Sequence, residues 1–112
     1  MYLGRFLRKT KYILELTNFT NSFIRFISTL RTKYEYEFYL FGSILKGNSN
    51  TDIDLLIIYS NHIELKEIKK KINNEFKKDL IHLTCLTKNE ELELKFIRKT
   101  KCRKVKTTHN KV

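Results

Sequence analysis

The chain has 112 residues, 41% of them hydrophobic and 12% aromatic, which suits one small domain with a modest core and leaves no room for a second of ordinary size. Its net charge is +11, and no apolar run approaches the roughly 20 residues that cross a membrane. The opening Met1-Tyr2-Leu3-Gly4-Arg5 lacks the apolar stretch of a secretory signal, and Cys85 and Cys102 have no metal-ligand spacing, so two free thiols in a reducing cytoplasm are expected.

The first third reads as helix. Leu16, Phe19, Phe23, Phe26, Ile27 and Leu30 recur at spacings of three and four, one apolar stripe facing a core. The apolar residues from Phe6 to Leu14 extend this character upstream without clear bounds. From Glu35 to Phe41 the period changes to an aromatic-rich strand that stops at Gly42-Ser43. Gly47-Asn48-Ser49-Asn50 is a turn signal. A second strand follows from Asp52 to Tyr59, and Leu55-Leu56-Ile57-Ile58 is apolar enough to be central and covered on both faces.

Asn61 with Glu64 has capping-box spacing and opens a second helix, with Leu65, Ile68, Ile72 and Phe76 as its buried stripe. A third strand is expected over Leu80 to Leu86. Thr87-Lys88-Asn89-Glu90 repeats the capping pattern and opens a last helix with Leu92 and Phe96 facing inward. After about Thr100 the pattern dissolves. The expected organisation is a domain over residues 1–99 and a loose basic tail over residues 100–112. The fold class is α/β or α+β, with one small mixed sheet of about three strands flanked by helices.

The chemistry concentrates between Phe41 and Leu55. Residues two apart in a strand point to the same side, so Asp52 and Asp54 present two carboxylates together. Two such carboxylates repel unless a cation sits between them, and oxygen ligands of this kind suit Mg²⁺ or Mn²⁺ shared with substrate phosphates. Gly42 lets a phosphate approach the backbone. The Ser43 hydroxyl and exposed amides can bond its oxygens, and Lys46 adds charge nearby.

A hydrophobic strand ending in Gly42-Ser43, a short loop with Gly47, and Asp52-Ile53-Asp54 opening an apolar strand resemble the signature of the DNA polymerase beta-like nucleotidyltransferase superfamily. The length points to its minimal group. The resemblance implies that Gly42 and Ser43 hold the phosphates of an NTP, ATP first among them, and that Asp52 and Asp54 bind the metal. It also implies a third carboxylate on the next strand, completing a two-metal site. That strand offers Asp79 at its beginning and His82 in the middle, on one face with Thr84. His82 is a poor replacement in a Mg²⁺ site, although it can ligate metal or act as a base. His62 and His109 suggest no function.

Three functions compete. The first is an enzyme transferring a nucleoside monophosphate from an NTP to an acceptor hydroxyl on a protein, a small molecule or an RNA end. The resemblance also implies a small helical partner protein, with some members acting as antitoxins that modify it. The second is a catalytically inactive nucleotide-binding or protein-interaction module. The third is nucleic-acid binding through the tail, because Lys95 to Val112 holds eight of the 23 basic residues and none of the 12 acids. A genome biased to A and T offers a compositional reason for the same lysines.

Overall fold

The computed structural model of the protein describes residues 17–42 and 52–107. Helix α1 covers residues 17–29 of these, followed by β1 (Glu37–Phe41), β2 (Ile53–Tyr59) and α2 (His62–Glu75). β3 (Ile81–Thr87), α3 (Lys88–Leu94), α4 (Phe96–Thr100) and β4 (Arg103–Thr107) complete the order. The strands form one mixed sheet in the order β3-β2-β1-β4, with β2 and β3 parallel and the other pairs antiparallel. The α/β class holds, with four strands in place of about three.

One face of the sheet is packed by α1 and α2. Phe19, Phe23 and Ile27 from α1 and Leu65, Ile68 and Ile72 from α2 meet Phe38, Leu40, Ile53, Leu55 and Ile57, all buried. Phe23 is the hub: its ring lies 5.5 to 6.3 Å from those of Phe19, Phe26, Phe38 and Phe76. The helical stripes expected from spacing are therefore the core-facing stripes, apart from Leu16, which lies outside the described residues. The run Leu55 to Ile58 is buried throughout, as a central strand requires.

Helix α2 begins at Asn61, whose side-chain oxygen accepts the Glu64 N–H at 2.8 Å. The capping box expected there is only half built. The Glu64 carboxylate turns away and accepts from the Lys33 N–H at 2.8 Å, the Tyr34 N–H at 3.2 Å and the Tyr36 hydroxyl at 2.8 Å. It thereby ties the entry of α2 to the segment leading into β1. Burial, then the adjoining Glu64 carboxylate, push the Tyr36 phenol far above its ordinary range, so it stays a donor. The second box is complete: Thr87 Oγ1 accepts the Glu90 N–H and the Glu90 carboxylate accepts the Thr87 N–H.

Two expectations about the C-terminal part are corrected. The last helix breaks at Lys95, which adopts a left-handed conformation (φ 51°), so α3 and α4 are separate short helices. Leu92 consequently faces solvent, 73% exposed, while Phe96 packs edge-on against Phe41 at 5.1 Å. Arg103–Thr107 is not loose tail but strand β4, paired along β1, and residues 108–112 lie outside the described residues. Tyr39 Oη donates to Glu37 Oε1 at 2.8 Å, and Lys104 Nζ approaches the same oxygen at 3.4 Å, fastening β4 to β1. A boundary at residue 99 would cut α4 and discard a strand of the sheet.

Candidate functional site

The second face of the sheet is divided. Tyr39, Leu56, Ile58 and Leu86 form a smaller apolar cluster, with Phe41, Phe96, Ile97 and Cys102 packed against it. The other half of this face carries Asp52, Asp54 and His82 in place of apolar side chains. Register explains the grouping. Asp54 stands beside His82 across the parallel β2–β3 pair and beside Phe41 across the antiparallel β1–β2 pair. Asp52 lies two residues before Asp54 and so shares its side.

His82 Nε2 lies 2.6 Å from Asp52 Oδ2, and both side chains are well exposed, 61% and 45%. The hydrogen bond to Asp52 raises the His82 pKa, desolvation opposes it, and the charges of Asp52 and Asp54 add to the rise. Gly42 ends β1 with φ +80°, a conformation that side chains other than glycine rarely adopt. A Cβ there would collide with Asp54 Oδ2 and sit 3.2 Å from Asp54 Cγ. The backbone conformation thus favours glycine, and any side chain here would also displace the Asp54 carboxylate.

The structure therefore brings together Gly42, Asp52, Asp54 and His82, with Phe41 as an aromatic neighbour that spacing alone had not singled out. Its signal was the strand register, which a sequence does not print. Asp79 does not join them. It occupies the exposed turn after α2, where its N–H donates to the Phe76 carbonyl at 3.1 Å. Ser43 and Lys46 lie outside the described residues, as does the turn at residues 47–50. Thr84 follows His82 on its face, half-buried and level with Leu56. Cys85 and Cys102 are free thiols.

Among the described residues, no group of three or more His, Cys, Asp or Glu side chains is arranged to hold a metal ion by itself. Two carboxylates on one side, Asp52 well exposed and Asp54 half-buried, beside Gly42, do fit a cation that takes its remaining oxygens from phosphates and water. They do not fit a closed, all-protein cage. No helix among the described residues is long and apolar enough to cross a membrane.

No curated protein and no solved structure is significantly similar to the chain. A family profile described as a nucleotidyltransferase domain matches residues 22–107, from within α1 to the last residue of β4. That span contains the whole sheet, β4 included, together with Gly42 and both aspartates. The chain belongs to the nucleotidyltransferase domain family, with the minimal, polymerase beta-like architecture that its Gly-Ser and Asp-x-Asp spacing resembles.

Proposed function

We propose that the protein is a divalent-metal-dependent nucleotidyltransferase acting through Gly42, Asp52, Asp54 and His82. The observation that supports this most is the fit between Gly42 and Asp54: a positive-φ glycine whose missing side chain is the space occupied by the carboxylate. Gly42, with Ser43 beyond it, receives the phosphates of an NTP, ATP first among them. Asp52 and Asp54 would hold Mg²⁺ or Mn²⁺, which when bound neutralises the triphosphate and the charge that builds during transfer.

In the transfer, the acceptor oxygen bonds to the α-phosphorus. The bond from that phosphorus to its β-bridging oxygen breaks, and pyrophosphate leaves. By holding the divalent ion, Asp52 and Asp54 would help to fix the triphosphate in line, and such positioning is the larger part of catalysis in these reactions. With Nε2 held by Asp52, His82 would take the acceptor proton at its other ring nitrogen, Nδ1. Asp79 has no role in this scheme.

Among the described residues no third carboxylate stands beside Asp54, where β3 supplies His82, and this favours a second reading: a nucleotide-binding module without transfer chemistry. Two measurements separate them. Calorimetric titration with each NTP should show Mg²⁺-dependent binding by the wild type that is lost in Asp54→Asn, because one of the two carboxylates that would hold the ion is gone. Release of pyrophosphate from bound ATP, with label appearing on an acceptor, makes the protein an enzyme. Tight binding without any release leaves the module. Absence of NTP binding by the folded wild type contradicts both.

A further inference from the structure

Strand β4 creates a feature that nucleotide transfer at Gly42 does not use. Between α1 and β4 lies a cavity of about 250 Å³, lined by Thr17, Thr20 and Asn21 on the helix and by Leu40, Arg103, Lys104 and Val105 on the strands. Its walls offer hydroxyls, an amide and positive charge. Arg103 is exposed and has no acidic ion-pair partner among the described residues, whereas the Lys104 charge is shared with Glu37. A guanidinium beside hydroxyl and amide donors matches the tetrahedral oxygens of a phosphate, which it can bind in bidentate fashion.

Position links this cavity to the site. Arg103 is the register partner of Leu40, and Gly42 follows Leu40 by two residues, about 7 Å of extended backbone. The cavity belongs to the face packed by α1, whereas Asp52 and Asp54 belong to the other face. A ligand filling it would therefore pass the end of β1 to reach them. The segment that carries β4 is rich in charge. From Lys95 to Thr107 the chain has seven basic residues and no acid, and Arg98, Lys99, Lys101, Arg103 and Lys104 are exposed. One phosphate satisfies Arg103. Several more exposed cations in the same segment suit a ligand with charge repeated along its length.

We infer that the α1–β4 cavity is a second phosphate site, which holds a backbone phosphate of a single-stranded nucleic acid whose end is the acceptor. A single strand can bend around the sheet edge from the cavity to Gly42. A duplex, with a persistence length of about 150 base pairs, cannot follow so short a curve without large cost. Calling this strand the acceptor rests on the proposed transfer activity; its binding to the cavity does not.

The test uses the full chain and a fluorescein-labelled 12-mer oligoadenylate RNA, followed by anisotropy across a salt series. Arg103→Gln and Asn21→Asp should each weaken RNA binding by about three- to tenfold, the latter by placing a carboxylate in the cavity from the helix side. Arg103→Gln should also lower the magnitude of the log–log salt slope by about 0.7, the value for one lost phosphate contact on a single strand. Asp54→Asn should bind RNA as the wild type does while losing Mg²⁺–ATP. Both cavity substitutions are on exposed residues, and circular dichroism with a thermal midpoint verifies the fold. The inference is overturned if both variants bind RNA like the wild type, which makes the attraction a diffuse effect of the lysines. It is equally overturned if Arg103→Gln weakens ATP and leaves RNA unchanged, which assigns the cavity to the nucleotide's own phosphates. RNA binding lost in both variants, with no ATP binding by the wild type, would support the cavity and remove the transfer activity.

Discussion

The two faces of the sheet solve different problems with the same strands. The face under α1 and α2 is a continuous aromatic and aliphatic core, with Phe23, Ile27, Phe38, Leu55, Ile57 and Ile72 without exposed surface. Among the described residues the opposite face is covered by α4, over Leu56, Ile58 and Leu86, and then gives way to Asp52, Asp54 and His82. β2 supplies both: its odd-numbered residues build the core, and its even-numbered residues run from charge to hydrocarbon within three positions. Stability and chemistry are thus separated by the pleat of a single strand.

The sharpest way to test the separation is to damage the core alone. Phe23→Ala removes the ring on which Phe19, Phe38 and Phe76 converge and should cost about 3–5 kcal/mol in chemical denaturation. Whatever fraction remains folded should keep its nucleotide affinity. A loss of affinity in the folded fraction would show that the two faces are coupled.

Glu64 probes the seam between α2 and β1. Burial opposes its charge, yet donation from Lys33, Tyr36 and Tyr34 and the Lys33 charge outweigh that, and its pKa is lowered. A lowered carboxylate pKa contributes stability above the ordinary glutamate range and loses it as pH falls through the folded value. Glu64→Ala should therefore cost about 2–3 kcal/mol at neutral pH and flatten the acid limb of the stability profile. A variant as acid-sensitive as the wild type would assign that limb to other groups.

On the open face the expected effects are electrostatic. The His82 pKa is raised, so its pairing with Asp52 is fully present below the unfolded histidine value and is lost as pH rises through the higher folded one. An NMR titration should place the His82 midpoint above that of an ordinary histidine, and Asp52→Asn should bring it back. An unchanged midpoint in the variant would remove Asp52 as the cause. Smallest of all, Leu92→Lys on α3 should alter stability by no more than about 0.5 kcal/mol, because that leucine is exposed.

The sequence made the core legible because helical periodicity and an unbroken apolar strand are both local signals. Phe19, Phe23, Ile27, Leu65, Ile68 and Ile72 could be placed by spacing alone. The pairing of Asp52 with Asp54 followed from the two-residue period in the same way. What lay beyond reach was non-local. The role of Glu64 depends on a backbone segment some 30 residues earlier, and the break at Lys95 depends on a left-handed residue with no glycine to announce it. β4 escaped because a strand of alternating cations, Arg103-Lys104-Val105-Lys106, looks like a tail until β1 offers an edge to pair with. His82 was placed on the correct strand, but only register put it beside Asp54.

The central claim is that Gly42, Asp52 and Asp54 form one metal-dependent nucleotide site on the open half of the second face. Mn²⁺ added with ATP to isotopically labelled protein tests it most directly, since the ion broadens amide signals in its vicinity. The account predicts selective loss of the signals of Gly42, Asp52, Asp54 and His82, with the amides of α2 unaffected and the effect abolished by Asp54→Asn. Broadening centred elsewhere, or persisting unchanged in Asp54→Asn, would contradict it.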